Sequence, residues 1–556
     1  MSAAACPGPA SPSPPYAYEG AYVDPSHLQW VTYLSAVVGL LMAFALGAND
    51  SANSWATAVG SGAITVRRAT LLGGVCEWMG AAMLGYGVSG TIRHGAAPRD
   101  DTQCWACGYC DSKMALFTVG MFSALCAAAI FLALATYTSM PVSTTHAIVG
   151  GVIGATAAMV GFDCLVWDMD GGLGGIVASW VISPAFAGFM GVVVYYATEF
   201  LILRARRPRE AALIALPVLY FISTFLICFL ILMKSKPTKG WSSLERSIAA
   251  SVVSLVSAGI ARFYLVPLAR GAMPSVGKAQ EAAFDAAAQN LAEATWRTNP
   301  TAEGSQGDDV ELREPTAAAA AAEPTRTPAG PAGHRPSLTA PLTSVGDDEN
   351  ESAGLAAGLS SSAAVADPSD IGEAMGPAGE REDAVSVFKH LLVFVAAVLS
   401  FAHGANDTAN ATAPFSAVVQ AVRAGLHSKR SCGDPEDPWW VLVAAGGAVC
   451  AGIVCFGSRV MATVGSGLTA MDFHLAFCMN LGSATSVLIA TLFGWPISST
   501  HCQVGAVVAV GCAAMGTKEV QWGMLGRIAL SWVLTLPFAF AIAAALSAIL
   551  REAVRG

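Results

Sequence analysis

A chain of 556 residues that is 54% hydrophobic and only 12% charged, against roughly 25% charged in a soluble domain, cannot cover a soluble surface of its size. Its net charge of -9, without a clustered basic face, excludes nucleic acid as a partner, because neutralising phosphates requires one. Apolar stretches of about 20 residues, the length that crosses a hydrocarbon core, recur along the chain, so its first partner is the lipid bilayer and its fold class is an all-α polytopic membrane protein.

Residues 1–27, rich in Pro, Ser and Ala with Glu19 and Asp24 but no Lys or Arg, read as an extracellular tail, neither an Arg-rich transit peptide nor a cleavable signal peptide. A first membrane half, 28–274, follows, with crossings predicted at 28–47, 71–91, 114–138, 142–162, 172–200, 211–233 and 247–268. Residues 275–385 turn rich in Ala, Pro, Glu, Thr and Ser, with an Ala run at 317–322. They predict a disordered cytoplasmic linker, either a spacer or a carrier of regulatory phosphorylation sites. A second half, 386–550, holds crossings at 386–403, 439–457, 473–494, 497–516 and 525–549, and 551–556 is a C-terminal tail. The count is thus about 12 membrane-spanning or re-entrant segments. Arg67, Arg68, Arg204, Arg206, Arg207, Arg209, Arg262, Arg270 and Lys278 are placed on the cytoplasmic side by the positive-inside rule, and both termini outside. Lys234, Lys236 and Lys239 run against it. Cys104, Cys107 and Cys110, three thiols with no nearby His, make a poor zinc site; outside the cell they suit disulfides with one another, with Cys164 or with Cys432.

Two motifs recur. Gly47-Ala-Asn-Asp-Ser-Ala-Asn53 returns as Gly404-Ala-Asn-Asp-Thr-Ala-Asn410, and Pro141-Val-Ser-Thr-Thr-His146 returns as Pro496-Ile-Ser-Ser-Thr-His501. The motifs start 94 residues apart in the first copy (47 to 141) and 92 in the second (404 to 496), so a pair was duplicated as a unit. Seven crossings, an odd number, separate the copies, which predicts an inverted-repeat secondary transporter.

An Asn-Asp pair at the end of an apolar span costs several kcal/mol unless it faces a protein interior or a watery cavity. The adjacent glycine suggests an unwound helix whose carbonyls, with Asp charge, hold a hard cation; a simple N-cap is the other reading of a single copy. In the second motif, Pro starts a helix and hydroxyls follow, an arrangement that receives an anion at a positive helix end. The alternative is an ordinary Ser/Thr-rich helix start, and His146 and His501 read as packed interior residues. Carboxylates repel an oxyanion unless a cation lies between, so the combination points to cation-coupled anion transport.

At these residues the sequence resembles the inorganic phosphate transporter (PiT) family, eukaryotic sodium-dependent branch. The resemblance extends through Thr57 to Thr65, Gly457 to Val460, Thr463 to Gly465 and Pro496 to Gly505. It implies a symporter that imports inorganic phosphate with sodium by alternating access, in the plasma membrane, with sodium as the co-transported ion and no cofactor; a homodimer is compatible with it. By the motif match, Asn49, Asp50, Asn53, Glu77, Asn406, Asp407 and Asn410 would hold sodium. Asp50, Asn53, Ser143, Thr144, Thr145, Asp407, Asn410, Ser498, Ser499 and Thr500 would hold phosphate. One position departs: the family carries a Glu in the second span of each half, present here as Glu77, whereas the match within 473–488 is Asn480.

No nucleotide-binding P-loop, metalloprotease motif or nucleophile elbow occurs, so enzyme is the weakest class. The competing readings are a proton-coupled phosphate or sulfate transporter of the same fold and a membrane phosphate sensor.

Overall fold

A computed structural model describes residues 22–84, 101, 103–107, 112–168, 173–234, 238–272, 378–424, 438–465, 467–493 and 498–555. Most of the expected linker, together with Cys110, Cys432 and Pro496, lies outside the described residues. The described residues are almost wholly helical. The first half comprises α1 (Gln29–Asp50), α2 (Ala52–Gly60), α3 (Val66–Leu84), α4 (Met114–Tyr137), α5 (Thr144–Met159), α6 (Leu173–Thr198), α7 (Pro208–Lys234), α8 (Ser243–Ile260) and α9 (Val266–Ala272). The second comprises α10 (Ala378–Asp407), α11 (Ala409–Ala424), α12 (Trp439–Gly465), α13 (Phe473–Phe493), α14 (Ser499–Met515) and α15 (Trp522–Arg551).

Nine helical stretches among the described residues are long and apolar enough to cross a membrane. The helices α5 and α14, at 16 and 17 residues, are shorter than the roughly 20 a crossing needs. Each folds back beside its predecessor. The Cys104–Cys164 disulfide joins the segment before α4 to the segment after α5, one of the pairings expected from sequence. In the second half, Gln521 N–H donates to Leu468 O at 2.9 Å, joining the segment after α14 to the segment before α13. The pairs α4–α5 and α13–α14 are therefore helical hairpins with their outer ends tied. Both lie inside the bundle: α4 and α13 are mostly buried, whereas α8 exposes most of its apolar surface.

The chain ends follow the same symmetry. Val23 N–H donates to Val554 O at 3.0 Å, joining the segment before α1 to the segment after α15. The start of α10 meets the residues after α6, where Arg381 grips Glu199 through two nitrogens at 3.0 and 3.2 Å. This contact corrects the linker boundary of 385: α10 begins at Ala378, because Arg381 and Asp383 find partners in Glu199 and Arg209. In sequence the stretch continues the Ala-, Pro-, Glu-, Thr- and Ser-rich composition of the linker.

The first crossing is also longer than predicted. It runs past Gly47, with a one-residue interruption at Ser51, to Gly60. Ser51 keeps helical dihedrals of -53° and -26°, and Trp55 N–H donates to Ser51 O at 3.1 Å, so the backbone is jogged and not unwound. Gly47 serves a different purpose: a Cβ would run into the carbonyl of Val449 on α12. Gly404 stands in the same relation to Glu77 on α3. Each repeat's first helix thus lies backbone to backbone on the second helix of the other repeat, and the two Asn-Asp pairs are drawn into one interior.

Candidate functional site

The hairpin tips and the two helix interruptions converge. Ser143 begins α5 as an N-cap, its hydroxyl accepting from His146 N–H at 3.3 Å, and Ser498 begins α14 likewise, accepting from His501 N–H at 3.4 Å. The first hydroxyl of each run therefore caps its own helix through an acceptor lone pair, its O–H remaining a donor. The next two face the interruptions. Asp50 Oδ2 accepts from Thr144 Oγ1 at 2.6 Å, and the halves then exchange contacts. Asn53 of the first half donates to Thr500 at 3.0 Å and to Ser499 at 3.4 Å, while Asn410 of the second donates to Thr145 at 3.3 Å and to Thr144 at 3.4 Å. An Asn from each half thus holds the hydroxyl run of the other.

Asn49, expected among cation ligands, is occupied by the first hairpin. Its amide donates to Met140 O at 2.9 Å and to Thr136 Oγ1 at 3.3 Å, and its oxygen accepts from Val142 N–H at 3.0 Å. The side chain of Asn406 lies outside the described residues. Asp50 and Asp407 do come together, with His403 between them: one ligand atom from each of the three lies within 4.8 Å of the others. His403 Nε2 is 2.6 Å from Asp407 Oδ2, and Nδ1 faces Glu77 Oε1 at 3.8 Å. Ser400 donates to the same Glu77 oxygen at 3.3 Å.

Two carboxylate oxygens of this cluster, Asp50 Oδ1 and Glu77 Oε2, are buried with no hydrogen-bond partner. Buried unpaired carboxylate oxygens are costly, and a small cation is the ligand that offsets them. Beside them lie four hydroxyls at two helix N-termini, where partial positive charge favours an anion. The cluster can hold a cation and an oxyanion side by side.

Sequence reading missed His403. Its counterpart one residue before the glycine of the first copy is Leu46, and that switch from apolar to imidazole was the available signal. Asn480 is not the repeat counterpart of Glu77 in space. By packing, Gly452 of α12 meets Phe44 as Gly80 of α3 meets Phe401, so the spatial counterpart of Glu77, three residues before its glycine, is Val449. Asn480 lies on α13 in the second hairpin. His146 and His501 pack as expected, their rings 5.0 Å apart, with His501 against Trp532 at 3.9 Å.

Comparison with known proteins gives this arrangement its context: a family model described as the phosphate transporter family matches residues 46–543, both motif pairs included. The chain belongs to the phosphate transporter family. Among relatives in this family, it is 29% identical to the phosphate-repressible phosphate permease pho-4 of Neurospora crassa, covering 94% of this chain and 97% of that one. It is 30% identical to a putative phosphate permease of Mycobacterium bovis, over 92% and 86%, and 28% identical to the chloroplastic inorganic phosphate transporter 2-1 of Arabidopsis thaliana, over 91% and 70%. A solved structure described as the sodium-dependent phosphate transporter superposes with a TM-score of 0.66 at 27% identity, covering 94% of this chain and 99% of that one. These family members are permeases and transporters, not enzymes.

Proposed function

We propose that this multi-pass membrane protein imports inorganic phosphate together with sodium by alternating access. The observation that carries the reading is the reciprocal bracket: Asn53 on Thr500 and Asn410 on Thr145, closed around Asp50 and Asp407. In this reading Thr144, Thr145, Ser499 and Thr500 donate to phosphate oxygens. Asp50 and Asp407, with Glu77 behind them, hold sodium, whose charge screens the carboxylates from the oxyanion. Asn53 and Asn410 release their hydroxyls when phosphate arrives and turn their amide oxygens to sodium. Family membership and the names of the relatives support phosphate; the sodium-dependent structural neighbour supports the coupling ion. The positive-inside distribution supports extracellular termini and a cytoplasmic linker, a disulfide beside the first hairpin suits an oxidising face, and the plasma membrane rests on the family resemblance.

A proton-coupled reading has one observation behind it, His403 set between Asp407 and Glu77. Labelled phosphate uptake with sodium replaced by choline, at two pH values either side of neutrality and with sulfate as competitor, tests the proposal. Uptake that needs sodium at both pH values and resists sulfate supports it; uptake that persists in choline at the lower pH would reassign the coupling ion.

A further inference from the structure

One turn beyond the Asn53–Thr500 contact lies a polar cluster that the proposed transport site does not use. Thr57, one turn after Asn53 on α2, donates to Asn480 Oδ1 at 2.7 Å, and Gln503, one turn after Thr500 on α14, donates to the same oxygen at 2.9 Å. The Asn480 amide donates in turn to Ser54 O at 3.2 Å. All four residues are buried. A single carboxamide thus joins α2 of the first repeat to both helices of the second hairpin.

The other repeat has no such joint. Seven residues after the motif Asp, Thr57 is matched by Pro414; seven after the motif Pro, Gln503 is matched by Ile148; sixteen before that Pro, Asn480 is matched by Leu125. The correspondence holds in space: Ala127 of α4 clusters with Ala543 of α15, and its equivalent Gly482 of α13 packs on Gly191 of α6. At the three positions that carry polar side chains in one repeat, the other carries apolar ones. The polar version is the costlier filling, because Gln503 Oε1 is buried with no partner. Something other than packing accounts for it.

We infer that Asn480 is a positioning residue that, through Thr57 and Gln503, sets the register of α2 against the second hairpin and thereby places Asn53 and Thr500 for phosphate. Directional bonds to one acceptor admit one register, whereas apolar contacts admit several of nearly equal energy. Asn53 reaches Thr500 at 3.0 Å and Ser499 at 3.4 Å, while Asn410, without such a joint, reaches its two threonines at 3.3 and 3.4 Å. One half of the bracket is thus joined through α2 and α14 to a buried carboxamide and the other is not.

This inference rests on the proposed role of Thr500, and the test separates the two. Phosphate titrations of uptake in proteoliposomes, per mole of inserted protein, are run for wild type, Asn480→Leu, Thr500→Val, Thr145→Val and the two doubles that contain Asn480→Leu. Asn480→Leu is expected to raise half-saturation by about tenfold, the scale of one lost hydrogen bond to a charged ligand. Combined with Thr500→Val it adds little, and combined with Thr145→Val the effects multiply, since only the former pair shares a joint. A symmetrised Thr57→Val, Asn480→Leu, Gln503→Ile variant, which leaves no orphaned polar group, keeps the raised half-saturation while its thermal midpoint recovers towards wild type. Equal multiplication with both threonine variants, or normal half-saturation in the symmetrised variant, would overturn the inference alone. A Thr500→Val protein with unchanged half-saturation would overturn the role of Thr500 and this inference with it.

Discussion

Within each Ser/Thr run the three hydroxyls are not equivalent. Ser143 and Ser498 cap their helices, whereas Thr145 and Thr500 take the Asn brackets. Thr145→Val and Thr500→Val keep shape and remove one donor, which is expected to cost about 1.5 to 3 kcal/mol of phosphate binding, or roughly tenfold to a hundredfold in half-saturation. Ser143→Ala is expected instead to lower thermal stability by about 1 kcal/mol, with a much smaller change in half-saturation. Titrated uptake and thermal denaturation of the same three proteins check both statements. The sequence showed the runs because they are duplicated, but it gave all three hydroxyls one role, since a cap and a ligand donor are the same residue type until the helix start is located. His403 escaped notice for the opposite reason. It has no duplicate, its counterpart being Leu46, and a search guided by symmetry passes over what breaks it.

Among the elements, the inverted repeat was readable from motif spacing, while the hairpins were not. Apolar composition alone does not distinguish a helix that crosses from one that turns back, and α5 and α14 are apolar too. The motif glycines were read as points of unwinding; in the fold they are points of close approach. Both uses need a missing Cβ, and only the partner helix tells them apart. Gly47→Ala and Gly404→Ala should therefore destabilise by about 1 to 3 kcal/mol, the range for overpacking, because their new methyl meets the backbone of Val449 or Glu77. Gly447→Ala on α12, with open space around its Cβ, should be neutral or slightly stabilising through helix propensity. Thermal midpoints of the detergent-solubilised proteins decide it, and equal midpoints for all three would contradict the packing role.

For the whole molecule, two reciprocal ties close the repeats on each other: the chain ends at Val23 and Val554, and the α6–α10 junction at Glu199 and Arg381. The Glu199 side chain is only 4% exposed, so Arg381→Ala leaves a buried carboxylate with Arg204 alone. Loss of hydrogen bonds to a charged group that keeps another partner costs about 1.5 to 3 kcal/mol, and a fall in thermal midpoint is expected. By contrast, deletion of residues 301–375, a tract whose composition supplies no packing, is expected to leave transport per surface molecule intact; its loss on deletion would give that tract a working role. The boundary between these outcomes, near Ala378, falls too late in the sequence reading because the polar first turns of α10 carry no apolar periodicity and read with the linker.

The account depends most on the two carboxylates that the repeat brings together. Labelled phosphate uptake into proteoliposomes under an imposed inward sodium gradient, comparing wild type with Asp50→Asn and Asp407→Asn at equal protein incorporation, tests that dependence directly. The account predicts gradient-driven accumulation by wild type and its near-abolition in both variants, each of which still folds and inserts. Accumulation at wild-type rates in both variants, with the same sodium dependence, would contradict it.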